Sequence, residues 1–506
     1  MIFYGGILFK NYGGCSSSVA QQTALITTTT SSTTQTTAAI PTTTPETEQT
    51  PPDSIISDKQ QQQQQQQYNN NNDNDVPSGV DRMDDVENPR SDLPVVATRL
   101  YYLDNIKTFL TALVVTHHVT CAFGGCGAVW PLAVGIYSDN YFQVFAQIVL
   151  SLNQGYFMSL FFFIAAYFMP SSYDRKGPAV FLLEKAKRYF LPTLCVTFVQ
   201  FPLLQFLAQW ITKHPLKYNP VPAHTWFLLW LLVFSLVYVH SEKASRTRTT
   251  TDTEIQSDNE NNDGESYQME ERYFIQGDYA NPNSNGRPFP KIWTRWLYGL
   301  LYCGVGMWVV FAICFPKESS FGTMPLAIGS VANDIFMFWA GIRAKREGWL
   351  EHSLRGQMDI PPWCLRLCVV LEAGGMIFCL VFNRFYLFGV VIAGQYCLDM
   401  SLAILEWFQT NMDFQTPWSK FAAEAAYTVY LIHPVVVIAC SSVWIKLYTM
   451  LGYDIEFEKF YASGTYVAGG SVTLFLSWLV TNLICHLLLW PLSWYFRKLP
   501  GLRQIL

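Results

Sequence analysis

Ten stretches of this chain are apolar over a length that suits a bilayer crossing. They run roughly over 106–123, 145–169, 188–210, 225–240, 293–315, 325–343, 364–382, 385–407, 421–443 and 467–495. A crossing helix needs about 20 mostly apolar residues, because its backbone N–H and C=O groups find no water in hydrocarbon and must pair along the helix itself. The first and fourth stretches are short, and the last is long enough to tilt or to break near Pro491. The fold class that follows is all-α: a polytopic integral membrane helical bundle of about ten transmembrane helices. The charge statistics agree. Only 14% of the residues are charged, where soluble domains carry about 25%.

Two segments are of a different kind. Residues 1–98 are rich in Thr, Ser, Gln and Asn and include the Gln run 60–67. Residues 241–291 are rich in Asn, Asp, Glu and Ser. Neither holds enough apolar side chain to offset the chain entropy of folding, so both are expected to be disordered, the first as a tail and the second as a loop. The membrane domain is thereby split into 99–240, with spans one to four, and 292–498, with spans five to ten, followed by a short tail, 499–506. Both polar segments are acid-rich, so the formal net charge of −5 conceals a basic membrane body. That body is no nucleic-acid binder with a basic face, since its charges lie in short loops between apolar runs. No CxxC pair occurs among the twelve cysteines, so no structural metal site is expected. Cys121 and Cys126 are placed to pair only if they face an oxidising compartment.

Lysine and arginine alternate between loops. With the amino terminus in the cytoplasm, the inner loops carry Arg175, Lys176, Lys185, Lys187 and Arg188, then Arg343, Lys345, Arg346, Arg355 and Arg366, and finally Arg497, Lys498 and Arg503. The outer loops carry few, such as Lys213 and Lys217. Cytoplasmic loops are the ones enriched in basic residues, so both termini and both polar segments are expected in the cytoplasm.

Polar side chains inside spans are costly and mark function. In the first span Lys107 and His118 are eleven residues apart. At 100° and 1.5 Å per residue they lie about 20° from one face and about 16 Å apart along the axis. Asp104 and Thr111 fall near the same face. A carboxylate and a cation at one end thus lead to an imidazole deep in the membrane, and imidazole is the side chain suited to move protons near neutral pH. The run Glu184-Lys185-Ala-Lys187-Arg188 opens the third span. Such a run meets anionic lipid or holds the phosphates of a cytoplasmic cofactor. Tyr427-Thr-Val-Tyr430-Leu-Ile-His433-Pro434 puts a second imidazole in mid-span beside a kink-forming proline. Asp334, Glu372, Asp399 and Glu424 are further acids within spans, each either a partner for a histidine or a structural carboxyl.

These patterns resemble the acyltransferase-3 family of integral membrane acyltransferases. That family has an Arg-x10-His in its first span, a basic RxxR motif before the third, and a Ser-Tyr-x-x-Tyr-Leu-Ile-His-Pro-like motif late in the chain. Here Lys107-x10-His118, Lys185-x-x-Arg188 and Ala426 to Pro434 stand in those places, and further similar stretches include Phe161–Phe168, Trp226-Phe-Leu and Ala340–Trp349. Order and spacing stay in register from about 99 to 495. Lys107 and Lys185 stand for arginines, which keeps charge and loses the bidentate fork, and Ala426 stands for a small polar residue.

What the resemblance implies is transfer of an acyl group, commonly acetyl from acetyl-CoA, to a hydroxyl of a carbohydrate, lipid or small metabolite. His118 would be the general base, with Asp104 and His433 in the same site. Tyr427 or Tyr430 would hydrogen-bond the oxyanion or the acceptor. Lys107, Lys185, Lys187 and Arg188 would hold the acyl-CoA. No metal is implied. Two other classes fit the residues: a proton-coupled transporter, though the two halves show no matching broken helices, and a family member that binds without catalysing.

Overall fold

The computed structural model of the protein describes residues 99–125, 130–132, 134, 140–211, 213, 215–257, 289–314, 330–382, 386–452, 455–457, 465–467 and 471–499. The expected tail 1–98, most of the expected loop (258–288) and the end of the chain (500–506) lie outside these residues. Each expected span contains a helix among the described residues. In chain order they are α1 (Tyr101–Gly124), α2 (Tyr141–Tyr167), α3 (Met169–Ile211), α4 (Ala223–Lys243), α5 (292–314), α6 (Val331–Arg346), α7 (Pro362–Phe382), α8 (Gly389–Asn411), α9 (Pro417–Met450) and α10 (Ser471–Arg497). Eight of these, all but α5 and α6, are long and apolar enough to cross a membrane. α6 is shorter, at 16 residues, and its upstream neighbours lie outside the described residues. The protein is therefore a polytopic helical bundle. Two short strands among the described residues, Ile455–Phe457 and Thr465–Val467, pair antiparallel between α9 and α10.

Helix and apolar run do not share ends. The helix that contains α4 continues from Trp226 to Ser257, past the boundary expected at 240. α3 begins at Met169, well before the apolar run. Its 43 residues would span about 65 Å, twice a bilayer's hydrocarbon core. It is broken at Gly177, whose φ of 72° is left-handed and is followed by Pro178. A residue with a Cβ is strained there, and the proline cannot continue the ladder. The polar first part, Met169–Lys176, is thus set apart from the part that crosses.

Side-chain bonds gather many helix ends at one end of the bundle. Asn105 donates to the carbonyls of Met412 (2.7 Å) and Phe414 (3.1 Å), so α1 and α9 start side by side. Tyr102 donates from its hydroxyl to Leu350 beyond α6, and Gln409 at the end of α8 accepts from Leu354 N–H. Glu406 on α8, its side chain 1% exposed, receives Arg355 at 2.8 Å and Arg366 at 3.3 Å. Arg497 at the end of α10 reaches Glu424 on α9, and Arg346 at the end of α6 pairs with Glu242 on α4. Odd-numbered spans start at this end and even-numbered spans finish at it, as strict alternation requires. α9 opens there with a capping box in which Thr416 Oγ1 accepts from Ser419 N–H. Thr416→Ala is expected to lower stability by about 1 kcal/mol, measured as a shift of the unfolding midpoint in detergent.

Two buried apolar clusters fill the bundle. One takes α1 side chains from Tyr102 to Val114, with Phe162 and Phe163 of α2, Phe234 of α4 and Phe338 of α6. The other takes Val115 to Ala122, with Val437 of α9 and Leu489 of α10. α7 has few buried residues and presents Trp363, Val370, Leu371 and Phe378 outward. A continuous apolar face of that kind faces lipid rather than water. His117 and His118 sit where α1 passes from one cluster to the other.

Candidate active site

Pro434 builds the centre of the site. In an unbroken helix the N–H of residue 434 would donate to the carbonyl of Tyr430; proline has no N–H, so that carbonyl is released. His433 takes it up, with Nδ1 at 2.7 Å from Tyr430 O. The next carbonyl, Leu431 O, is reached from outside the helix by His224 Nε2 at 3.2 Å and Gln200 Nε2 at 3.0 Å. α3 and the first turn of α4 are thereby tied to α9 at its internal proline.

α1 and α9 run in the same direction from adjacent starts, and His118 and His433 each lie about 25 Å along their helices. Equal depth makes them meet. His433 Nε2 is 3.1 Å from His118 Nδ1, and the ring centres are 4.7 Å apart. His118 Nδ1 is also 2.9 Å from Val114 O. A carbonyl only accepts, so the neutral tautomers follow from the bonding. His433 carries its proton on Nδ1 and offers the Nε2 lone pair. His118 carries its proton on Nδ1, shared between Val114 O and His433 Nε2. The lone pair of His118 therefore lies on Nε2, to which no described residue bonds. His433 is fully buried and His117 nearly so, whereas His118 is only partly buried. Around the pair, His224 meets His433 edge-on at 5.0 Å, Trp130 lies 5.0 Å from His118, and His117 stacks on Phe157 at 5.3 Å.

The residues singled out in the sequence fall into three groups. His118, His433 and Tyr430 come together, with Tyr430 donating its hydroxyl to His224 O at 2.5 Å. Tyr427 joins Arg188 instead: its hydroxyl donates to Arg188 O, and the guanidinium lies over its ring at 5.2 Å. Lys185 lies over the rings of Phe181 and Tyr189, and Lys187 is exposed. Asp104 and Lys107 form the third group at the start of α1, where Asp104 pairs with Lys107 and Arg99, each at 2.7 Å. Lys107 also lies over Phe168, 5.2 Å from the ring centre. Among the described residues, none of the four other acids bonds to a histidine. Asp334 accepts from Ser159 and Ser330, Asp399 from Trp296 and Gln395, Glu424 meets Arg497, and the Glu372 carboxyl lies near that of Asp399.

The family model for the acyltransferase domain of the acyltransferase-3 type matches residues 100–482. The chain belongs to the acyltransferase-3 family. No curated protein and no solved structure matches it. The matched interval runs from the start of α1 into α10 and contains every residue of the three groups but Arg99. Membership and apolar helices together make the protein a multi-pass membrane acyltransferase.

His224 and Trp130 were not marked by sequence reasoning. His224 had a signal: it is a polar residue at the mouth of a span, two positions before the Trp226-Phe-Leu already set beside the family. Trp130 had none, lying in a loop with no helical period to place it.

Proposed function

We propose that the protein transfers an acyl group, acetyl in the simplest case, from acyl-CoA to a hydroxyl of a carbohydrate, lipid or small metabolite, with His118 as general base. The observation that carries this reading is the contact of His118 Nδ1 with Val114 O, from which the tautomer is assigned. Its only described bonds hold Nδ1–H, which leaves the Nε2 lone pair to take the acceptor's proton. His433 receives part of the Nδ1–H bond and orients the ring, the part a carboxylate plays in a Ser-His-Asp triad. No described Ser or Cys hydroxyl or thiol bonds to His118, and the route we propose is direct attack of the acceptor on the thioester carbonyl rather than an acyl-histidine. The acceptor O–H bond gives its proton to Nε2, the C–S bond breaks, and the CoA thiolate takes the proton from His118.

The cations support a donor site. Most basic side chains near the shared end of the helices are neutralised: Arg99, Lys107, Lys176, Arg343, Lys345, Arg346, Arg355, Arg366 and Arg497 all meet carboxylates. Lys185, Lys187 and Arg188 form no ion pair among the described residues, and Lys187 and Arg188 are exposed. They suit the phosphates of CoA. Arg188 touches Tyr427, about 9 Å along α9 from His433, so an acyl-pantetheine arm entering there is aimed at the histidines. This end faces the cytoplasm in the proposal, where acyl-CoA is made. The disulfide of Cys121, one turn beyond His118, favours an oxidising compartment on the other side.

The test is transfer of label from radioactive acetyl-CoA into extractable esters by membranes holding the full chain, with lipid and sugar extracts as acceptors. Ester formed by the wild type and lost in His118→Ala at equal protein level is the expected result. Ester formed equally by both overturns the assignment of His118. The donor site is tested by Lys187→Ala with Arg188→Ala. The double variant is expected to raise KM for acyl-CoA about tenfold, one lost charge-assisted bond's worth, with kcat unchanged. A fall in kcat at constant KM would place these residues elsewhere in the reaction.

A further inference from the structure

We infer that Trp130 supplies the oxyanion hole: its indole N–H donates to the thioester carbonyl oxygen as the acceptor attacks. The inference rests on the acyl-transfer reading above. Trp130 is 7% exposed. Its ring lies over His118, 5.0 Å between centres at an interplanar angle of 38°. Its Nε1 is buried and has no hydrogen-bond partner among the described residues. Indole donates and never accepts, and a buried donor left alone is destabilising. An unfilled donor against the proposed base therefore calls for an oxygen that arrives with the substrate.

The other donors around His118 are engaged. Tyr430 O–H goes to His224 O, Tyr427 O–H to Arg188 O, and His224 Nε2–H to Leu431 O. His433 Nδ1–H goes to Tyr430 O and His118 Nδ1–H to Val114 O. Neither tyrosine thus has a hydroxyl proton left for an oxyanion. His117 Nδ1 also lacks a partner among the described residues, but a neutral imidazole nitrogen can present a lone pair there, whereas an indole nitrogen always presents N–H.

The reaction has two oxygens to consider. The acceptor hydroxyl hands its proton to His118 Nε2, and a donor aimed at that oxygen would blunt its attack. The carbonyl oxygen gains the electron pair of the C=O π bond as the new C–O bond forms, and it returns the pair when the C–S bond breaks. A preorganised N–H at that oxygen is stronger in the transition state than in the ground state, which is what lowers the barrier.

The experiment uses the full-length protein in membranes, with acetyl-CoA as donor and hydroxylamine as a surrogate acceptor read as hydroxamate. Trp130→Phe keeps an aromatic ring on His118 and removes the N–H. It is expected to lower kcat about 100-fold, the scale of one oxyanion-hole donor, with KM for acetyl-CoA and the unfolding midpoint unchanged. β-(3-Benzothienyl)alanine at position 130, which exchanges N–H for sulfur in the same ring shape, is expected to give the same loss and serves if the phenylalanine variant fails to accumulate. Either variant retaining kcat within about threefold of the wild type overturns the assignment of Trp130 and leaves acyl transfer standing. A wild type that forms neither hydroxamate nor labelled ester overturns the acyl-transfer reading, and this inference with it.

Discussion

His118→Gln is expected to transfer acyl groups about 1,000-fold more slowly than the wild type, within the range that loss of general-base catalysis produces. Glutamine keeps a polar side chain of similar reach that can still donate to Val114 O. It has no lone pair basic enough to take a hydroxyl proton. The variant should therefore reach wild-type levels in the membrane and keep its KM for acyl-CoA, because Lys185, Lys187 and Arg188 contact other residues than His118. His433→Gln should do less. Val114 O still holds the Nδ1–H tautomer of His118, so the loss is one orienting hydrogen bond, about tenfold in kcat. Steady-state rates of both variants decide the order. A His118→Gln rate within tenfold of the wild type, or a larger loss from His433→Gln, would reverse the roles of the two rings.

The helices were legible because lipid imposes a simple rule: backbone bonds must close within each span, so a run of apolar side chains of the right length is a helix. Where the runs end was a weaker guide. Hydropathy marks where the chain leaves hydrocarbon, not where the helix stops, which is why α3 starts at Met169 and the helix of α4 runs on to Ser257. Angular periodicity was similarly half-informative. It puts Asp104, Lys107 and His118 on one face of α1, but the rise along the axis keeps the two ends of that face apart. Asp104 lies about 21 Å along the axis from His118, among cations rather than imidazoles.

The meeting of His118 and His433 was implicit in the chain. Both lie at the same distance from the start of an odd-numbered span, and Pro434 announces the carbonyl that His433 uses. What no single sequence supplies is which spans are neighbours. The same gap hides Ser159, which donates to Asp334, and the arginines that donate to Glu406. It also hides the approach of His224 to His433, and Trp130, which arrives from a loop with no period to read.

Gly341→Ala is expected to lose about 3 kcal/mol of stability, the upper part of the usual range for overpacking. α6 lies so close to α2 at this point that a Cβ on Gly341 would sit 2.2 Å from Phe163 O and 2.9 Å from Ala166 Cβ. Small residues let membrane helices approach in this way. A flexible neighbour would swing aside, but a backbone carbonyl has no rotamer to change, so α2 itself must move. That movement reaches the site. α2 also carries Phe157, which stacks on His117, and Ser159, which donates to Asp334 on α6 at 2.7 Å. Activity should therefore fall together with stability. Gly374→Ala on α7 is the control, since nothing lies within 4 Å of its added Cβ, and its midpoint should stay within about 0.5 kcal/mol of the wild type. Unfolding in a denaturing-detergent titration gives both values. Equal midpoints for the two variants would show that α2 and α6 are not pressed together at Gly341, and the path from that contact to the histidines would fail with it.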